Sequence, residues 1–275
     1  MTALRGCALL LLPVLWNQPG KPFRIVGNVY YVGTAGLASY LIATPQGHIL
    51  LDGALPQSAP LIEKNVAALG FRMRDVKYLL NSHAHYDHCG GLAQLKRDSG
   101  AQMVASEQDA TVLSAGYHGS YGTGWGFKFP AIKVDRIVQD GDKVQVAGTV
   151  LTALLTPGHT KGCTTWTMPV MEAGKTYTVV FYCSTTVPGY PLVNNREYPQ
   201  IAADYQHSFE RLKNLRADVF LANHTEFFDL QGKLARLKTD APNPFIDPGE
   251  LRRFVLESES EFKRKLAQQE FGKKK

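Results

Sequence analysis

The stretch NSHAHYDHCGG, residues 81–91, places His83, His85, Asp87 and His88 within six positions, directly after the apolar run VKYLL (76–80). The run reads as a strand that delivers the cluster to a loop at its end. With eight His in 275 residues, three at fixed offsets arise by chance about once in 40,000 starts, so coincidence does not explain the cluster. Neutral imidazole and carboxylate are the donors that suit divalent zinc, and a strand end fixes them while leaving one side open. The stretch therefore predicts a metal site.

A chain of 275 residues with 44% hydrophobic content can bury a substantial core. No Pro/Gly/Ser linker or low-complexity block divides it, so residues 17–275 read as one domain. The net charge of +6 is partly terminal, because FKRKLAQQEFGKKK (262–275) ends the sequence. No aromatic residues interleave with a basic stripe, so the charge reads as a solvated face and no nucleic-acid partner is expected.

At the other end, Arg5 precedes CALLLLPVLW (7–16). This run is too short for a stable membrane span but has the length of the apolar part of a secretory signal. Residues 1–16 are assigned to such a signal, although no A-x-A-like cleavage site precedes Asn17; the alternative is a buried N-terminal strand or helix. The expected location is periplasmic or secreted. Losing Cys7 with the signal would leave Cys89, Cys163 and Cys183, an odd set without close pairing, from which no disulfide framework can be read.

Along the chain, FRIVGNVYYVG (23–33), SYLIAT (39–44) and HILLDG (48–53) read as a meander of strands. SAPLIEKNVAALG (58–70) has helical spacing and stops at a glycine. DVKYLL (75–80) leads into the motif, followed by the helix GGLAQLKRDSG (90–100), the strand AQMVAS (101–106) and the helix EQDATVLSAG (107–116). YHGSYGTGWGFKFP (117–130) is Gly-rich and aromatic, and its Trp125 and Phe127 mark it as a flap over a pocket. A second block gives strands at DRIVQ (135–139), KVQVAG (143–148), VLTALLT (150–156), TTWTMPV (164–170) and TYTVVFYC (176–183). Helices at 201–215 and 248–266 bracket the strand ADVFLAN (217–223). Two strand blocks, each followed by helices, predict an α/β fold of two mixed sheets face to face with helices outside, a four-layer αββα sandwich.

Two further histidines, His159 in PGHT (157–160) and His224 in ANHTE (222–226), also follow apolar strands. Strand ends of a sandwich converge at one edge, which brings five of the eight histidines to one rim. His48, His118 and His207 are left as surface or packing residues.

With HAHYDH (83–88), PGHT and ANHTE in this order over residues 23–240, the chain resembles the metallo-β-lactamase superfamily. The resemblance implies two zinc ions, one held by His83, His85 and His159, the other by Asp87, His88 and His224. Each would keep an open position, as catalytic zinc does. Most hydrolases of that superfamily, such as glyoxalase II, the lactonases and the RNA-processing nucleases, carry a bridging Asp after a strand. The corresponding VVFYCSTTVPGYPL (179–192) has none. It is similar instead to the third subclass of true metallo-β-lactamases, with Ser184 at the strand end, Thr186 two residues on and Tyr190 in PGY. Adjacent strand residues face opposite ways, so of Cys183 and Ser184 only one can look at the metals; Ser184 is assigned to the site.

This likeness implies hydrolysis of the β-lactam ring of antibiotics, and hence antibiotic resistance, by water activated at the zinc pair without a covalent acyl-enzyme. Asp87 and Tyr190 would act in the reaction, Asp87 holding the second ion and Tyr190 lying near the developing oxyanion. Ser184 and Thr186 would bind the substrate carboxylate, with Trp125 and Phe127 over the pocket. The alternatives are a metallo-hydrolase acting on a thioester or lactone, and a non-catalytic zinc-binding protein.

Overall fold

The computed structural model describes residues 14–124, 126–237 and 242–272. Of the N-terminal segment, residues 1–13 therefore lie outside the described residues, as does Trp125 of the flap. The meander forms four antiparallel strands, β1 (Phe23–Val26), β2 (Val29–Tyr31), β3 (Tyr40–Thr44) and β4 (Gly47–Leu51). The sheet continues in parallel through β5 (Val76–Leu80) and β6 (Gln102–Ser106).

Residues alternate between the faces of a strand, and Ile49, Leu50 and Leu51 are all buried because both faces of β4 are covered. Leu41, Leu50, Leu79 and Met103 lie side by side in register on one face. They pack against Ile62 and Val66 of helix α1 (Ala59–Ala68), and against Leu92 and Leu95, which follow the motif. Ile42, Ile49, Leu51, Leu80 and Val104 point the other way, into the core shared with the second sheet. Each such buried aliphatic side chain contributes roughly 1.5–3 kcal/mol.

After the short strands β7 (Tyr117–His118), β8 (Phe127–Lys128) and β9 (Arg136–Val138), the second sheet runs β10 (Lys143–Val146), β11 (Thr149–Leu155), β12 (Thr164–Glu172) and β13 (Lys175–Tyr182) in antiparallel order, ending on the parallel strand β14 (Val219–Ala222). Trp166 of β12 is fully buried between the sheets. Helices at Ile201–Lys213 and Glu250–Phe271 cover the outer face, where Tyr205 and Phe262 lie 5.1 Å apart and Phe254 packs 5.2 Å from Phe220. The four layers are thus those the sequence implies.

Three local assignments change. Arg136–Val138, assigned from sequence to the second strand block, pairs in parallel with β6 and closes the edge of the first sheet. The strand is only three residues long, and its inward Val138 is buried in the inter-sheet core. The flap begins and ends in a two-stranded ribbon, Tyr117–His118 against Phe127–Lys128. A helix over Leu230–Arg236, for which no periodic pattern was evident, starts where the Asp229 side chain accepts a hydrogen bond from the Gly232 N–H.

Candidate metal centre and pocket

The motif loop is stapled to both sheets. Ser82 N donates to Asp52 Oδ1 (2.6 Å) and Asn81 Nδ2 to Asp109 Oδ2 (2.8 Å). From the second sheet, Trp166 Nε1 donates to Asn81 O (3.0 Å) and Thr164 N to Ser82 O (2.8 Å). Extended backbone carries the chain to His85 (φ −83°, ψ 147°), and one helical turn, Tyr86–Cys89, follows. That change of geometry sends His83 and His85 to one cluster and Asp87 and His88 to another. The turn packs so closely on the β4 exit that a Cβ at Gly91 would lie 2.3 Å from Gly53 O.

In the first cluster, His83 Nε2 and His159 Nε2 each lie 3.0 Å from His85 Nδ1. In the second, Asp87 Oδ2 is 3.3 Å from His88 Nε2 and 3.4 Å from His224 Nε2. His159 reaches the first cluster because Gly158 adopts φ 133°, with the Tyr205 ring only 2.8 Å from where a Cβ would stand. Burial holds His83 and His85 well below the usual imidazole range, His88 at about 3 and His159 at about 4, so all four are neutral donors near pH 7. Burial pushes Asp87 upward, but the imidazoles of His88 and His224 outweigh it and keep the carboxyl well below its ordinary range.

A cavity of about 340 Å³ opens over both clusters. Ser184, Thr186, Tyr190 and Phe127 line it. Ser184 Oγ and Thr186 Oγ1 are 3.1 Å apart, and His159 Nδ1 donates to Thr186 O (2.8 Å) and to Thr186 Oγ1 (3.1 Å). Tyr190 Oη lies 3.1 Å from His85 Nε2. Phe127 is 40% exposed and stacks on Tyr86 at 4.7 Å.

Among the cavity residues that the sequence reading did not assign to the site are His118 and Trp16. His118, left there as a surface or packing residue, is 3% exposed and stands 4.2 Å, ring to ring, from His85. Trp16, assigned to the signal segment, lines the cavity with its ring edge-on to His224 at 5.1 Å. Its carbonyl accepts hydrogen bonds from Thr34 Oγ1 (2.6 Å) and Gly36 N (3.2 Å). These contacts hold Trp16 against the rim of the cavity.

The family model of the metallo-β-lactamase superfamily matches residues 34–224. The chain belongs to that superfamily. Among solved metallo-β-lactamases, BJP-1, a subclass B3 enzyme of Bradyrhizobium japonicum, is 44% identical, with 94% of this chain and 98% of that one covered and a TM-score of 0.88. FEZ-1 from Legionella gormanii is 43% identical over 92% of this chain and 98% of its own, also at 0.88. Curated relatives include a hydroxyacylglutathione hydrolase of Rhodopseudomonas palustris, 34% identical over 124 residues. That match covers 44% of this chain and only 39% of the relative's length.

The donor set fits the metals of a metallo-β-lactamase. Three nitrogens converge in the first cluster, and the outer nitrogens of its rings face Ser82 Oγ (3.2 Å), Tyr190 Oη and Thr186 O. With the N–H groups turned outward, the inner lone pairs face one another and need a cation between them. The atoms of each cluster lie within 4.8 Å of one another. This is a metal-binding site.

Cys163 and Cys183, which no spacing in the sequence pairs, form a disulfide, Cα–Cα 5.9 Å. The register that sets Trp166 opposite Phe181 brings Thr164 opposite Cys183 when it is extended, so Cys163 is its diagonal neighbour. Cys183 Sγ sits behind the first cluster, 3.6 Å from His83 Nδ1, while Ser184 turns into the cavity. The sulfur is committed to the bond and is not offered as a metal ligand.

Proposed function

We propose that this metallo-β-lactamase superfamily member binds two zinc ions and hydrolyses the β-lactam ring of antibiotics, conferring resistance. The observation that carries the reading is the chain-length match to subclass B3 structures, joined to the absence of any acid from VVFYCSTTVPGYPL (179–192). The thioester reading draws on curated relatives named hydroxyacylglutathione hydrolase, but the matches cover only 27% to 39% of their length. A neighbour at 44% identity from Cronobacter sakazakii is described by a HARLDQ motif. Set beside HAHYDH, it has Arg and Gln where this chain has His85 and His88, so the fold does not require those imidazoles; here they serve the metals.

His83, His85 and His159 would hold one zinc, and Asp87, His88 and His224 the other. Zinc bound there supplies Lewis acidity and lowers the pKa of its water towards ~7. The protein's own groups do the rest. With its Nδ1 turned inward, His85 donates its Nε2–H to Tyr190 Oη, which frees the phenol proton to face the cavity. Burial pushes that phenol well above the ordinary tyrosine range, so it acts as a donor to a developing oxyanion and not as a base. Because His159 donates to Thr186 Oγ1, the Thr186 hydroxyl proton is free for Ser184 or for a substrate carboxylate. Asp87 stays ionised as an anionic ligand and acceptor.

Native mass spectrometry of the zinc-loaded protein is expected to show two ions per chain; a single ion would overturn the dinuclear assignment. Expression in a susceptible bacterium is expected to raise the tolerated concentration of at least one β-lactam, an effect that Asp87→Ala removes.

Export belongs to the same proposal. No described helix is long and apolar enough to cross a membrane. Since Trp16 packs on His224, we place any signal cleavage before it. N-terminal sequencing of exported protein is expected to find Trp16 retained, and a mature chain beginning at Asn17 would contradict this placement.

A further inference from the structure

Of the three first-cluster imidazoles, His85 is the least buried and the least firmly held. The outer nitrogen of His159 is fixed by a backbone carbonyl, and that of His83 lies among Ser82 Oγ, Asn223 Nδ2 and Cys183 Sγ. His85 Nε2 meets a single side-chain hydroxyl, that of Tyr190. Rotation about its Cβ–Cγ bond would replace the inward Nδ1 by a carbon and withdraw Nε2–H from Tyr190.

What opposes that rotation is a wall of rings from the flap. His118 lies at 81° to His85 with centroids 4.2 Å apart. His118 meets Tyr121 at 4.7 Å and 80°, and Tyr121 meets Tyr190 at 5.4 Å and 74°. The Tyr190–His85 hydrogen bond closes the circuit. Tyr121 is itself anchored: its carbonyl accepts from Asn195 Nδ2 (2.8 Å) and its hydroxyl from Lys161 N (3.3 Å).

We propose that His118 is a positioning residue, whose ring locks the rotamer of His85 and, through Tyr121, sets the hydroxyl of Tyr190. The ring meets His85 through its plane, and its Nε2 has no hydrogen-bond partner among the described residues. His118 lies outside both ligand clusters, so its effect on the metal is indirect. Outer residues of this kind change metal affinity or activity by about 10–100-fold.

The test compares His118→Ala, His118→Leu, His118→Phe and His118→Asn. Zinc affinity is read by chelator competition and ligand geometry by the visible spectrum of the cobalt-substituted protein. Ala and Leu are expected to weaken the first site about 10-fold or more and to shift the cobalt spectrum; Leu fills volume without a planar ring and covers the case in which Ala does not fold. Phe is expected to restore both readouts to within about twofold, and Asn is not. Affinity unchanged in Ala or Leu, or rescue by Asn but not Phe, would overturn the proposal. Where the chain turns over a β-lactam, kcat is expected to fall in Ala with KM nearly unchanged. That arm rests on the proposed function, whereas the affinity and spectral arms stand whichever substrate the enzyme takes.

Discussion

Asp87→Ala is expected to lower kcat/KM for β-lactam hydrolysis by more than the roughly 100-fold that loss of an outer-shell partner costs, and to reduce bound zinc from two ions to one. Asp87 is the one anionic group in the two clusters, and its Oδ2 lies within 3.4 Å of both His88 Nε2 and His224 Nε2. Removing it takes both a ligand and the local negative charge from the second site. The first cluster, built on His83, His85 and His159, keeps its three nitrogens. The fold is expected to persist, because Asp87 lies in a one-turn helix held by backbone bonds such as Gly53 N to His88 O (2.7 Å), and the core is carried by the strands around it. Steady-state kinetics, metal analysis and a thermal melt of the same sample check the claim. A variant that keeps two zinc ions or full activity would contradict it.

The second large effect concerns stability. Breaking the Cys163–Cys183 bond by the double change Cys163→Ser and Cys183→Ser is expected to cost about 3 kcal/mol, the scale for cross-linking a loop of this length, here 20 residues apart in sequence. Denaturant unfolding of the metal-loaded forms measures it. Zinc content is expected to stay near the wild-type value, since neither sulfur serves as a ligand. Loss of metal on removing Cys183 alone would mean that the sulfur does bind, and that Ser184 is not the residue of this pair that serves the site. Ser184→Ala is expected to raise KM by a few-fold with metal retained, the effect of one lost hydrogen bond of about 1 kcal/mol.

The metal-site candidates were legible because strand ends announce themselves: VKYLL, VLTALL and VFLA each end within four residues of a histidine, and period-two burial leaves little freedom in where those ends go. The four layers followed from the same alternation. His118 was not legible, because a two-residue strand has no periodic pattern and its partner, Phe127, lies across the flap. Trp16 sits at the end of an apolar run whose composition suits a signal, and nothing local tells an indole that packs on His224 from one that is removed. The disulfide depends on the register between β12 and β13, a non-local fact: Cys163 follows a turn and Cys183 directly follows a strand, with no spacing motif to join them. Arg136–Val138 was placed in the wrong sheet for the same reason, since three residues read alike in either.

The most direct test is the initial rate of purified, zinc-loaded protein on a panel of penicillin, cephalosporin and carbapenem, with a hydroxyacyl-glutathione thioester beside them, before and after chelation. Ring opening of at least one β-lactam is expected, abolished by the chelator, restored by zinc and insensitive to inhibitors that acylate a serine, with little turnover of the thioester. Efficient thioester hydrolysis with no β-lactam opened, or β-lactam turnover that survives complete removal of metal, would contradict the account.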